Sequence, residues 1–157
     1  MSDWNDLYLE VILDHNKNPR NNEELKLYTH EAKGHNPLCG DRISIQIVLE
    51  NEKVKEAKFT GSGCAISTAS ASILTETIKG KNRSEVESLF ENFHGLVTGK
   101  EAETELGKLA IFEGVKKYPA RVKCATLSWH ALMAALEGKE ETTTEWAKNW
   151  RMKSLKL

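Results

Sequence analysis

The stretch Arg42-Ile43-Ser44-Ile45-Gln46-Ile47-Val48-Leu49-Glu50, followed by Asn51-Glu52-Lys53 and then Val54-Lys55-Glu56-Ala57-Lys58-Phe59-Thr60, decides the fold class of this chain. Apolar residues alternate with polar ones along both arms, the period of a strand that buries one face, and the polar triplet between them suits a turn. An antiparallel hairpin is predicted, and a third strand is expected to precede Gly34. Helical spacing dominates elsewhere. Trp4, Leu7, Tyr8, Val11 and Ile12 share one face of a first helix, which Ser2 or Asp3 would cap and Pro19 would close. Further helices are predicted over residues 64–79, 84–97, 104–112 and 124–137. Val86, Leu89, Phe90, Phe93 and Val97 form an apolar stripe on the second of these, which reads as core. This order implies an α+β domain: a small three-stranded antiparallel sheet with helices packed on one side.

The chain has 157 residues, enough for one domain with a real core. The domain is expected over residues 1–138, with 139–157 as a C-terminal extension. In that extension Glu140, Glu141 and Glu145 give way to Trp146, Trp150 and several cations. The two tryptophans, four residues apart, would share a helix face that packs back on the domain, or alternatively docks a partner. Lys and Arg number 22 against 23 Asp and Glu, a net charge of −1, which argues against a general nucleic-acid binder. No apolar run approaches the length needed to cross a bilayer, and a cytoplasmic location is expected.

Chemistry concentrates in three cysteines, Cys39, Cys64 and Cys124. Cys39 and Asp41 flank a glycine, so in extended chain both side chains leave the same face. Cys64 follows Gly61-Ser62-Gly63 and opens a small-residue helical stretch, where unpaired backbone N–H groups favour thiolate. Cys124 is read as the start of another helix, with Arg121 and Lys123 before it expected to lower its pKa. Three thiolates and a carboxylate match a four-coordinate zinc site assembled from distant segments, since no Cys-x-x-Cys pair is present. Three buried core cysteines are the alternative reading. A disulfide fits less well with an odd count and no signal peptide at the start.

Several motifs carry a resemblance that runs from Trp4 to Glu137: Leu7-Tyr8, Asp14-His15 with Asn18-Pro19-Arg20-Asn21, Asn36-Pro37-Leu38-Cys39-Gly40-Asp41, Gly61-Ser62-Gly63-Cys64-Ala65-Ile66-Ser67, and Arg121-Val122-Lys123-Cys124. Together they resemble the IscU-type iron-sulfur cluster scaffolds and their SufU sulfur-transfer relatives. Lys123 stands where the scaffold branch usually has a histidine, and the chain looks longer around residues 93–105. Both departures resemble the SufU branch. The resemblance implies zinc on Cys39, Asp41, Cys64 and Cys124, with iron or a transient iron-sulfur cluster as the alternative occupant. It implies a partner cysteine desulfurase, SufS-like and dependent on pyridoxal phosphate, and downstream iron-sulfur assembly proteins.

Within that reading Cys39 is the expected sulfur acceptor, because Gly34, Pro37 and Gly40 bracket it in a loop able to swing outward. The resemblance further implies that the partner supplies a substitute metal ligand when Cys39 leaves. Arg121 is the candidate for contacting the persulfide or a partner carboxylate; a solvated surface cation is its alternative reading. The runner-up function is a non-enzymatic scaffold that assembles and hands on a transient cluster, and a third is a structural zinc domain. Among the histidines, His35 is close enough in sequence to exchange as a ligand, although a polar loop residue is the default. His15 is expected as a cation at a helix C-terminus, and His130 is expected to point away from the metal.

Overall fold

The computed structural model describes residues 2–100 and 106–143, with side chains from Leu9 onward. The alternating segments form β2 (Asp41–Glu50) and β3 (Lys53–Ser62), and β1 (His30–Asn36) pairs antiparallel with β2. Ile43, Ile45 and Ile47 of β2 and Ala57 and Phe59 of β3 are fully buried on one face. Asn51 and Glu52 reverse the chain with φ of 53° and 64°, the left-handed pair whose twist matches a two-residue hairpin. Val48 pairs with Glu56 whereas Leu49 pairs with Val54, so Lys55 is left over as a bulge.

A fourth strand corrects the expected three-stranded antiparallel sheet. β4 (Glu141–Thr143) lies parallel to β1, giving a mixed sheet in the order β3-β2-β1-β4. Parallel pairing needs a crossover, and the helix α4 (Pro119–Leu136) provides it. Three polar residues are too few to show any alternation, which is why the sequence pattern misses this strand. The expected extension is described only as far as Thr143, so Trp146 and Trp150 lie outside the described residues, as does the start of the helix expected over 104–112. From Gly107 to Lys117 the chain forms a 3-10 helix instead of an α-helix.

α4 is the pillar of the helical layer. Every residue from Cys124 to Leu136 is buried, so this helix is covered on all sides, not just along one stripe. Gly34 lets it approach β1 closely: a Cβ there would come 2.9 Å from Leu127 Cδ1 and 3.4 Å from Ala131 Cβ. α2 (Ala65–Ile78) packs beside it through small residues, and Ser70 Oγ donates to the Ala125 carbonyl at 2.6 Å. α3 (Arg83–Val97) begins with a capping box between Asn82 and Glu85 and carries Phe90 and Phe93 into the core. Phe93 stacks on Trp129 at 5.3 Å between ring centroids. Val11 and Ile12 of α1 (Ser2–Lys17) pack against this core.

Two local expectations change. α4 begins at Pro119, whose fixed φ suits the first helical position, so Cys124 sits in the second turn and not at the helix start. His15 is no charged cap: it is 1% exposed and its Nδ1 lies 2.7 Å from Ser72 Oγ. Burial, with Arg20 nearby, pushes its pKa below the ordinary histidine range. The side chain joins α1 to α2 in neutral form.

Candidate metal and sulfur site

The sheet topology delivers the site. Asn36, the last residue of β1, pairs with Asp41, the first of β2, and residues 37–40 turn between them. Cys39 stands exposed on that turn, Asp41 is 1% exposed beneath it, and Cys124 comes up fully buried from α4. A sulfur of Cys39, a carboxylate oxygen of Asp41 and the sulfur of Cys124 all lie within 4.8 Å of one another. Cys64, half-buried, caps the N-terminus of α2 and shares a hydrogen bond with Cys124, bordering this trio without entering it as tightly.

Hydrogen bonds fix the fourth segment against the other three. Asp41 Oδ1 accepts from the Cys64 N–H at 2.9 Å, and Cys64 Sγ accepts from the Ser67 N–H at 3.4 Å. Gly63 leaves the room for this: a Cβ there would sit 3.0 Å from Asp41 Oδ1 and 3.1 Å from Ser67 Oγ. The Ser67 hydroxyl is buried without a partner among the described residues.

Charge divides unequally between the two deeper sulfurs. The Cys64 thiol is pulled down to about 6, first by its hydrogen bond with Cys124 and then by the Ser67 and Ile66 N–H groups, against the opposing effects of burial and Asp41. Cys124 is pushed strongly up by the same bond with Cys64, by burial and by Cys39. This overturns the expectation that Arg121 and Lys123 lower the Cys124 pKa. Five residues of helix precede Cys124, and Arg121 is exposed on them, its guanidinium without a hydrogen bond or ion pair among the described residues.

The donor set fits zinc. Cys124 and Cys39 hold their sulfurs 3.5 Å apart, close to the edge of about 3.8 Å expected for two thiolates on one tetrahedral zinc at about 2.3 Å. Three sulfurs and one carboxylate oxygen match the preferences of that ion. Histidine does not enter the trio. His35 belongs to β1 and not to a loop, and alternates to the face opposite Asn36. His130 packs edge-on against Phe90 with centroids 5.6 Å apart.

Gly34, expected as part of a swinging loop, is instead locked in β1 under α4. Left-handed backbone and open space are found instead in the turn. Gly40 there has φ 75° and nothing within 4 Å of its Cβ direction. One residue that the cysteine pattern did not single out holds the arrangement together. Asn36, fully buried, donates from Nδ2 to Asp41 Oδ2 at 3.1 Å and to Cys124 Sγ at 3.6 Å. Its position directly before Pro-Leu-Cys was the available signal.

The NifU-like N terminal domain family matches residues 7–125, a span that includes all three cysteines and Asp41. The chain belongs to that family. It is 46% identical over 137 residues to the zinc-dependent sulfurtransferase SufU of Bacillus subtilis, covering 86% of this chain and 92% of that protein. With the iron-sulfur cluster assembly scaffold protein IscU of Streptococcus pyogenes it shares 39% identity over 139 residues, 87% of each. The crystal structure of a Fervidobacterium islandicum protein, described as an iron-sulfur cluster assembly scaffold for the SUF system, superimposes with a TM-score of 0.78 at 34% identity. That match covers 81% of this chain and 94% of the other. This chain thus shares the α+β fold of that solved structure, with its own sheet four-stranded and mixed.

Proposed function

We propose that this protein is a zinc-dependent sulfurtransferase of iron-sulfur cluster assembly, taking persulfide sulfur from a cysteine desulfurase and passing it to downstream assembly proteins in the cytoplasm. One observation carries the reading: of three sulfurs gathered at one end of the sheet, Cys39 alone is exposed, on a turn beside its buried neighbours. The 46% identity to a protein named a zinc-dependent sulfurtransferase supports it, as does the absence among described residues of any helix long and apolar enough to cross a membrane. Residues 1–138 form the working unit in this proposal, with 139–157 as a C-terminal extension.

Cys39, Asp41, Cys64 and Cys124 would hold the zinc. Bound there, it supplies the positive charge that keeps thiols deprotonated near neutral pH. The chain's own contribution is to present one nucleophile. The Cys39 thiolate attacks the outer sulfur of the partner's persulfide; the new bond joins Cys39 Sγ to that sulfur, the partner's S–S bond breaks, and its electron pair stays on the partner's thiolate. The proton on the outer sulfur travels with it, and no external oxidant or reductant is required. Cys124 and Asp41, anchored in α4 and β2, stay behind. Arg121, exposed at the start of α4, would meet the incoming anion or a partner carboxylate.

The test is to mix the zinc-loaded protein with a cysteine desulfurase and cysteine, then map by mass spectrometry which thiol gains sulfur. Sulfur on Cys39 and a rise in desulfurase turnover are expected. Relatives named as scaffolds favour a second reading, in which the same cysteines assemble a transient cluster. A cluster reconstituted from iron and sulfide and transferred intact, without desulfurase activation, would establish that reading instead.

A further inference from the structure

Asn36 contacts both the turn that carries Cys39 and two of the buried groups beneath it, Asp41 and Cys124. Its side-chain amide donates to Asp41 Oδ2 at 3.1 Å and to Cys124 Sγ at 3.6 Å, both buried. Its side-chain carbonyl accepts from the Leu38 N–H at 3.2 Å, and its main-chain carbonyl accepts from the Gly40 N–H at 2.8 Å. The first pair of bonds lies under the turn, and the second pair closes the turn that carries Cys39. Leu38, Cys39 and Gly40 are all exposed, so water can replace the bonds that hold them. No water reaches a fully buried amide in the same way.

We propose that Asn36 is the positioning residue that lets Cys39 leave while Asp41 and Cys124 stay in place. This deepens, and rests on, the sulfur-relay reading. When Cys39 swings out, Cys124 loses a sulfur neighbour that stands 3.5 Å away, and Asp41 loses part of its surroundings. An anionic pair left in a buried pocket without a donor is costly. The Asn36 amide supplies that donor to both groups at once. Its Nδ2 has two hydrogens, one for each acceptor, while its Oδ1 is the acceptor for the Leu38 N–H of the turn. A serine or alanine at this position could not span both acceptors and the Leu38 N–H together.

The experiment compares Asn36→Asp and Asn36→Ala with the wild-type chain. Asn36→Asp keeps the acceptor for Leu38 but loses the donor to Asp41 and Cys124; Asn36→Ala loses both. Zinc release to a chromophoric chelator is followed first, on the zinc-loaded chain without any partner. Groups that orient metal ligands typically account for about ten-fold or more in metal affinity, so release about ten-fold faster is expected in both variants. Single-turnover sulfur transfer to Cys39 should fall in rate at saturating desulfurase, with the half-saturating concentration unchanged. A residue with a merely structural role would lower thermal stability and leave zinc release alone. Wild-type release in both variants therefore overturns the proposal, whatever happens to the melting temperature. If the wild-type chain accepts no sulfur, the relay reading fails separately, while the release measurement still decides whether Asn36 holds the ligands.

Discussion

Cys39 and Cys124 hold their sulfurs 3.5 Å apart, yet they belong to opposite kinds of structure. One rides an exposed turn closed by two backbone N–H bonds to Asn36; the other is fully buried in α4, a helix covered on every side. The difference teaches how a site can be both rigid and reactive. A ligand set built wholly on packed elements would bind metal tightly and have nothing to offer a partner. In the proposed relay, one ligand on a short turn would give a single sulfur access while the others stay in register. Cys64 is intermediate, fixed by the N-terminus of α2 but half-buried.

The sharpest way to break this comparison is Cys39→Ser. Because the proposed acceptor sulfur is lost, transfer from the desulfurase should fall by about a hundred-fold or more. Because the residue is exposed, stability of the zinc-free chain should change by less than about 0.5 kcal/mol. Mass mapping of sulfur together with urea unfolding checks both halves. A variant that still loads sulfur on another thiol at the normal rate would move the acceptor role elsewhere.

Acid probes the buried side. Within α4, His130 is depressed to about 4, first by burial and then by His94. The folded state thus holds this ring neutral while the unfolded chain binds a proton near the ordinary value of about 6.5. Stability from this group is complete above pH 6.5 and is lost as the pH falls from there to about 4, amounting to on the order of 3 kcal/mol. His15 acts in the same direction, through burial and Arg20. Urea unfolding of the zinc-free chain between pH 7.5 and 4 should show this slope, and His130→Gln should flatten it. An unchanged slope in that variant would show that α4 is less sealed than its burial indicates.

Much of this division was legible in the sequence. Alternation around Ile43, Ile45 and Ile47 located the hairpin because one face of it is buried and the other is not. The Asn36-to-Asp41 motif and the Cys124 motif pointed to the three residues, Cys39, Asp41 and Cys124, that the structure brings together. What escaped was set by tertiary contacts. β4 is three polar residues whose strand character comes from the neighbouring β1 alone. α4 extends back to Pro119 through exposed Ala120 and Arg121, residues without any apolar period to announce them. Gly34 read as loop chemistry because glycine commonly serves turns; here it serves the approach of Leu127. His15 looked like a helix-end cation until Ser72, 57 positions away, turned out to be its partner.

Gly34 offers the next test. Substituting alanine puts a methyl 2.9 Å from Leu127 Cδ1 in a fully packed layer, and relief requires α4 or β1 to shift. Overpacking of this kind costs about 1–3 kcal/mol. The shift should also loosen zinc, because α4 carries Cys124. Unfolding and chelator release measured on the same preparation check that the two losses move together.

Gly40 is the counterpart on the turn, and its substitution should have the smallest effect. Its φ of 75° is left-handed, so alanine there costs about 1 kcal/mol of backbone strain, but nothing lies within 4 Å of the added Cβ. Asparagine tolerates that conformation better and should cost less still. The loss in Gly40→Ala therefore comes from the backbone alone and should be partly recovered in Gly40→Asn, whereas a loss caused by crowding would grow with the larger side chain. Urea unfolding of the two variants distinguishes these cases. If Gly40→Asn proved as damaging as Gly34→Ala, the turn would be packed as firmly as α4, and the contrast between a movable Cys39 and an anchored Cys124 would disappear.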